Sequence, residues 1–387
     1  MKITEHISGA DKTLFSFEIL PPLKGASIKE LFASIDPLMA FQPSFIDVTY
    51  HREDYVLKKR ADGSYDRIST KKRPGTVAIC AALQNHYKID AVPHLICGGF
   101  SKEDTENALI ELSFLGIDNI LALRGDNRKE DAHFEPENNG NKNALDLIHQ
   151  IQNMNAGIYL DEEISNSNES NFCTGAACYP EKHADAPNME SDLKFLKRKV
   201  DAGAKFLVTQ MFFNNQHYFN FVESCRSAGI TVPIIPGIKP ITTRKQLSIL
   251  PKLFHMDIPF ALTNEIDQCK DDKQIADIGV AWAIEQCKEL IANGAPVYCI
   301  FIPWVKAPKP KKSAKPFSNG GNGHQIHWQL VSSTYRRWKG LDGENARQDA
   351  IERPRYEQPC GRWRPSRVNG GPKLRRYGIH FKGLSPK

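Results

Sequence analysis

Glu18 stands inside an otherwise apolar run, Leu14-Phe15-Ser16-Phe17-Glu18-Ile19-Leu20, and Pro21-Pro22 end that run and fix the chain's exit. A carboxylate so placed is partly desolvated, which raises its proton affinity and lets it donate a proton near neutral pH. The alternative is a Glu paired with a Lys or Arg across the mouth of a barrel. The run Asn119-Ile-Leu-Ala-Leu-Arg-Gly-Asp126 sets a charged pair around a glycine directly after an apolar strand. Gly125 would let the backbone approach a ligand closely and Asp126 could stabilise a developing cation; a plain loop turn is the competing reading. His94 follows Pro93 within a strand, where a satisfied core histidine is the ordinary outcome. Thr49, Tyr179 and Gln210 sit near other strand ends. Arg198 and Lys199, adjacent on a helix, could meet a diphosphate or form a solvated face.

These residues need a scaffold that brings strand ends together. Up to about residue 303 the chain alternates short β-rich apolar runs with longer amphipathic stretches, the pattern of parallel βα units. Strands are expected at 14–20, 45–50, 91–97, 119–123, 172–179, 206–213, 232–238 and 297–302. Met189, Leu193, Leu196 and Val200 form one helical stripe, and Ile275, Ile278 and Trp282 another. Gly116, Gly203, Gly229 and Gly294 fall where helices should stop. No strand is followed by the GxGxxG of a doubly wound dinucleotide fold. The expected fold is therefore a (β/α)₈ TIM barrel, with reactive groups at the strand C-terminal ends. Residues 129–143 and 160–170 read as polar surface loops.

Composition sets the remaining bounds. With 41% hydrophobic and 25% charged residues, the 387-residue chain reads as an ordinary globular protein. No window suits a membrane span and no signal-peptide core is evident, so a cytoplasmic location and no membrane partner are expected. Nine cysteines without a CxxC pair read as buried thiols and no metal site. The net charge of +6 hides a split: residues 304–387 hold 19 Lys and Arg against 5 Asp and Glu, leaving 32 basic and 40 acidic residues before them. Two parts are expected: a barrel over 1–303, and a basic tail over 304–387 that is rich in Pro and Gly and disordered.

With those residues in hand, the sequence resembles methylenetetrahydrofolate reductases from about residue 10 to residue 297. The matching segments are Phe17-Glu18-Ile19-Leu20-Pro21-Pro22, Asp47-Val48-Thr49-Tyr50, Pro93-His94-Leu95, Ala122-Leu123-Arg124-Gly125-Asp126, Tyr179-Pro180-Glu181-Lys182-His183, Leu196 to Ala204, and Thr209-Gln210-Met211-Phe212-Phe213. The resemblance implies a barrel that holds FAD, is reduced by NAD(P)H and reoxidised by methylenetetrahydrofolate in a ping-pong scheme. It implies Glu18 as the general acid that protonates a folate nitrogen, and Asp126 as the carboxylate that contacts the flavin and favours the resulting cation. Gln210, Gln246 and Tyr50 fall to the folate. Thr49, His94, Arg124, Gly125, Asp126, Tyr179, His183, Ala186, Asp192, Arg198 and Lys199 fall to the flavin. A homo-oligomer is implied as well. Phe195, Asn143 and Arg244 depart from residues found in some relatives.

The ending departs further. Family members carry His-Phe-Tyr-Thr on the eighth strand, followed by a closing helix; here the chain reads Tyr298-Cys299-Ile300-Phe301-Ile302-Pro303-Trp304-Val305-Lys306. Those residues can be encoded as TAT TGC ATT TTT ATA CCA TGG GTA AAG. Read two bases later, the same string gives Leu-His-Phe-Tyr-Thr-Met-Gly-Lys. A frameshift near Val297 is the expectation this raises, with everything beyond translated out of frame. Competing readings are a nucleic-acid or partner-binding protein acting through the basic tail, with no specific nucleic acid expected, and another FAD barrel oxidoreductase, such as a proline dehydrogenase relative.

Overall fold

A computed structural model of the chain describes residues 1–302 apart from 71, 128–132 and 165–166. The expected tail over 304–387 and the boundary at 303 lie outside the described residues. In chain order the elements are α1 (Ile3–Ser8), β1 (Leu14–Ile19), α2 (Ile28–Met39), β2 (Phe45–Val48), β3 (Asp54–Lys59), β4 (Tyr65–Thr70), α3 (Thr76–Tyr87), β5 (Asp90–Ile96), α4 (Lys102–Phe114), β6 (Asn119–Leu123) and α5 (Ala144–Asn155). There follow β7 (Cys173–Cys178), α6 (Met189–Asp201), β8 (Phe206–Thr209), α7 (Asn215–Ser227), β9 (Ile234–Ile235), β10 (Gly237–Ile238), α8 (Gln246–Phe254), α9 (Phe260–Asp267), α10 (Asp272–Ala292) and β11 (Val297–Ile302).

Nine parallel strands run in the order β10-β11-β1-β2-β5-β6-β7-β8-β9. β9 and β10 are two halves of one path, interrupted at Pro236, which has no N–H to give to a ladder. Its carbonyl still accepts from the Cys299 amide at 2.9 Å. β9 pairs with β8 and β10 with β11, so the path closes the ring as a (β/α)₈ barrel. At this seam the Gly237 amide donates to Thr209 Oγ1 at 2.9 Å. A Cβ on Gly237 would lie 2.5 Å from the Phe301 ring and 2.5 Å from the Thr209 carbonyl oxygen, so only glycine fits.

Alternation along the strands sorts side chains into two apolar layers. Phe45, Val92, Leu121, Cys173, Phe206, Val208, Ile235, Val297 and Cys299 fill the lumen, while Phe17, Ile46, Leu95, Ile120 and Leu207 pack outward with the helices. The expected stripes hold. Leu196 is buried with Met189, Leu193 and Val200 beside it, and Ile275 is buried with Ile278 and Trp282. Gly116, Gly203, Gly229 and Gly294 follow α4, α6, α7 and α10 with φ of +67°, +121°, +74° and +76°, the left-handed turn that ends a helix.

Three features depart from the expected outline. The run over 206–213 leaves the sheet at Thr209, because Met211 and Phe213 are buried under α8, α9 and α10 with Ile241, Leu262 and Ile275. Its apolarity reports burial in a loop. The short α1 closes the bottom of the barrel: Ile3 is fully buried, its amide donates to Asn119 Oδ1 at 2.8 Å, and Asn119 Nδ2 returns a bond to the Met1 carbonyl at 2.9 Å. An antiparallel hairpin, β3 with β4, follows β2. No described helix is long and apolar enough to cross a membrane, and among the described residues eight cysteines are free and no metal-binding cluster is assembled.

Candidate functional site

Glu18 enters the mouth one residue before β1 ends. Its carboxylate accepts from Thr49 Oγ1 at 3.0 Å, and Thr49 is placed by its amide on the Ile19 carbonyl. His94 Nε2 lies 3.9 Å from Glu18 Oε2, too far for a hydrogen bond. Neither nitrogen of the buried His94 ring has a hydrogen-bond partner among the described residues. Burial, with His51 adding to it, pushes His94 down to about 3, so the ring is neutral at physiological pH. Burial pushes Glu18 up to about 7, against the opposing pull of the Thr49 hydroxyl and the Lys239 charge. A group at that value both holds and releases a proton near neutrality.

Beneath Glu18 the lumen is polar. Asp47, fully buried on β2, accepts from Ser16 Oγ at 3.4 Å and lies 3.6 Å from Cys299 Sγ, and its Oδ1 has no partner. Burial, then the neighbouring Glu18 charge, holds the Asp47 carboxyl well above its usual range. Burial does the same to the Cys299 thiol. Burial thus disfavours the charged form of both groups, and Glu18 above them is the carboxyl raised to about 7.

Across the mouth, β6 and β7 supply a second cluster. Arg124 pairs with Asp185 and lies over the Phe134 ring at 5.3 Å, yet its buried Nε has no partner. Gly125 has φ of +86°, and a Cβ there would press on Ile96 at 3.2 Å. Asp126 is exposed at the rim, and its charge reaches Tyr179, whose hydroxyl is held above the usual range chiefly by burial. The Tyr179 ring meets His183 edge-on at 4.5 Å, and burial lowers the His183 proton affinity.

The turn after β7 is tied to α6: Asp192 Oδ2 accepts from the His183 amide at 2.8 Å, and Lys182 Nζ donates to the carbonyls of His183 and Ala186. Arg198 is exposed beside the Phe195 ring, whereas Lys199 is buried and donates to the Ala177 carbonyl at 2.6 Å. The two cations therefore occupy different surroundings.

Gln210 follows β8, with its amide on the Cys178 carbonyl and its Oε1 accepting from the Met211 amide at 3.0 Å. Gln246 Oε1 accepts from the Thr242 and Thr243 amides at 2.6 and 3.1 Å, holding the entry to α8. Tyr50 packs edge-on against Phe100 at 5.2 Å. Asn143 caps α5, and Arg244 pairs with Asp267 at 3.0 Å. Glu18, Thr49 and His94 are thus in one contact set, and Arg124, Tyr179, His183 and Asp192 in another. Sequence reasoning passed over Asp47 as a site residue, and Lys239 altogether. A charge in or just after an apolar run, the signal that marks Glu18, marks both.

The family model described as methylenetetrahydrofolate reductase matches residues 2–302. The chain is 34% identical over 307 residues to methylenetetrahydrofolate reductase (NADH) 1 of Zea mays, covering 76% of this chain and 47% of that one. It is 32% identical over 302 residues to methylenetetrahydrofolate reductase 2 of Saccharomyces cerevisiae, covering 76% and 46%. The 5,10-methylenetetrahydrofolate reductase of Pectobacterium carotovorum is 29% identical over 282 residues, covering 72% and 82%. The chain spans about half the length of the eukaryotic relatives it matches. Among solved structures, an uncharacterized protein from Clostridium thermocellum, described as binding two copies of 5-methyl-5,6,7,8-tetrahydrofolic acid, shares the fold with a TM-score of 0.52 at 15% identity, covering 86% of this chain and 99% of that one.

Proposed function

This chain belongs to the methylenetetrahydrofolate reductase family, and from that premise we propose that it reduces 5,10-methylenetetrahydrofolate to 5-methyltetrahydrofolate with electrons from NADH or NADPH and with FAD as its cofactor. When bound, FAD would carry hydride from the nicotinamide to the one-carbon unit in two separate half-reactions. The chain's own work is placement, proton supply and electrostatics.

The fit to a flavin rests on orphaned buried polar groups. His94 has two buried ring nitrogens without partners and Arg124 a buried Nε, which suit the carbonyl and ring-nitrogen edge of a planar heterocycle. Gly125 leaves the backbone bare beside them. Thr49, Asp126, Tyr179, His183, Ala186, Asp192, Arg198 and Lys199 are proposed to complete the holding set. Within it Asp192 and Lys199 act through the main chain that they fix, and Arg198 reaches outward for phosphate.

The observation that carries the reading is the Glu18 carboxyl at the luminal end of β1, held by the Thr49 hydroxyl beside a neutral His94 and raised by burial to about 7. Protonated, it gives its proton to a folate nitrogen, the carbon–nitrogen bond of the five-membered ring opens, and a cationic one-carbon unit forms. Asp126 stabilises that cation, and the Gln210 amide, with Gln246 and Tyr50, orients the pterin. The test is anaerobic. Glu18→Gln should leave flavin reduction by nicotinamide within about threefold of the parent, while reoxidation by methylenetetrahydrofolate falls by at least the roughly 10²-fold typical of a lost general acid. Equal loss in both halves, or undiminished reoxidation, would overturn the assignment.

A further inference from the structure

Lys239 follows β10 and precedes Pro240, which keeps it extended. In the ladder Gly237 is level with Cys299 and Ile238 with Ile300, while Phe17 is level with Ile300 and Glu18 with Phe301. One further residue brings Lys239 into the row of Phe301 and Glu18. It stands two residues past Gly237, whose Cβ position abuts the inward Phe301 ring, so it shares the luminal side with Glu18. Two strand spacings separate the backbones by roughly 10 Å, within reach of a lysine and a glutamate extended toward each other.

The surroundings single this lysine out. Facing Glu18 are Asp47 from β2 and Thr49 just after it, His94 from β5 with His51 beside it, and Cys299 from β11. Thr49 is uncharged, His94 is neutral at pH 7, and burial disfavours the charged forms of Asp47 and Cys299. The charge of Lys239 is the cationic influence that lowers the proton affinity of Glu18; burial lowers the proton affinity of the lysine itself, and Glu18 opposes that by favouring its charged form. Among the described residues no hydrogen bond or ion pair within 4 Å engages its amine.

We propose that Lys239 is a positioning residue for Glu18: its ammonium, in the same row of the barrel mouth, stabilises the carboxylate left after the proton has gone to substrate. The assignment rests on reading Glu18 as the proton donor. Without the ammonium, the ionised carboxylate faces a lumen that offers it one hydroxyl and no cation. The acid then becomes too reluctant to release its proton at neutral pH.

Lys239→Met keeps the length and volume of the side chain and removes the charge. The carboxyl stretch of Glu18, identified by its absence in Glu18→Gln, is followed by infrared titration of the full chain. In Lys239→Met its midpoint should move up by about one pH unit, the effect of a unit charge some 10 Å away at an effective dielectric near 20. The pH profile of the folate half-reaction should shift in the same direction, and Lys239→Arg should restore both. An unmoved carboxyl midpoint in Lys239→Met, or a shift that Lys239→Arg leaves in place, would overturn the proposal. The infrared arm is independent of turnover. A moved midpoint with an unmoved folate profile would sink the reading of Glu18 as donor and leave the coupling of the two charges standing.

Discussion

At the scale of single residues, the mouth is built from groups that the fold holds away from their ordinary protonation states, and this has a cost. Glu18 has a folded value of about 7 against 4.5 in the open chain. Between those two values the unfolded state releases the proton and the native state keeps it, so stability falls as pH rises through that window and levels off above it. The difference corresponds to on the order of 3 kcal/mol at pH 8. Glu18→Gln is therefore expected to be more stable than the parent by up to about that amount at pH 8, with the gain fading toward pH 4. Denaturant melts at pH 4, 6 and 8 would check it, and a gain that does not depend on pH would refute the assignment. Glu18 was legible in the sequence because a charge inside an apolar run has few bland explanations. Asp47 carried the same signal inside Phe45-Ile46-Asp47-Val48. The Arg198-Lys199 pair reads as one unit in sequence, but consecutive helical positions point about 100° apart, and here one turns inward and one outward.

At the scale of elements, the existence of the barrel strands was legible and most of their ends were not. β6 and β11 coincide with their expected spans, whereas the run over 206–213 gives only Phe206–Thr209 to the sheet. Apolar periodicity reports burial, and loops under α8–α10 are buried too. The hairpin of β3 and β4 had a turn signal, Asp62-Gly63 between two β-rich runs, that went unused. α1 is six residues long, too short to show a period. The seam at Pro236 offers the sharpest test at this scale. Thr209→Val keeps the shape and removes the acceptor of the buried Gly237 amide, which should cost about 1–3 kcal/mol. Amide exchange at Gly237 should accelerate with it, and unchanged protection there would show that the hydroxyl is not what holds the seam.

At the scale of the whole molecule, the barrel was legible because eight apolar runs recur at βα spacing and no phosphate-binding glycine motif competes. The nature of residues 298–387 was not legible in the same way. Tyr298 to Ile302 complete the ring as β11, and the core tolerates them because a strand asks mainly for apolar, β-prone side chains. The same stretch can be encoded by a string that contains Leu-His-Phe-Tyr-Thr-Met-Gly-Lys two bases on. Resequencing the gene is expected to find a frame-restoring difference near the Val297 codon. A protein rebuilt in the restored frame should retain more flavin through gel filtration and melt higher. A confirmed reading frame, or equal flavin content and melting temperature, would refute the frameshift.

The plug at the foot of the barrel has a practical corollary. Ile3, Asn119 and Asp90 tie α1 to the N-terminal ends of β5 and β6, at the end of the ring away from Glu18 and Tyr179. Closure and the proposed site thus draw on separate side chains. A mutant library confined to the turn over 182–186 and the rim around Asp126 could vary the proposed site while the cap below keeps its anchors. Retuning this scaffold is then a problem of upper loops, largely decoupled from its foundation.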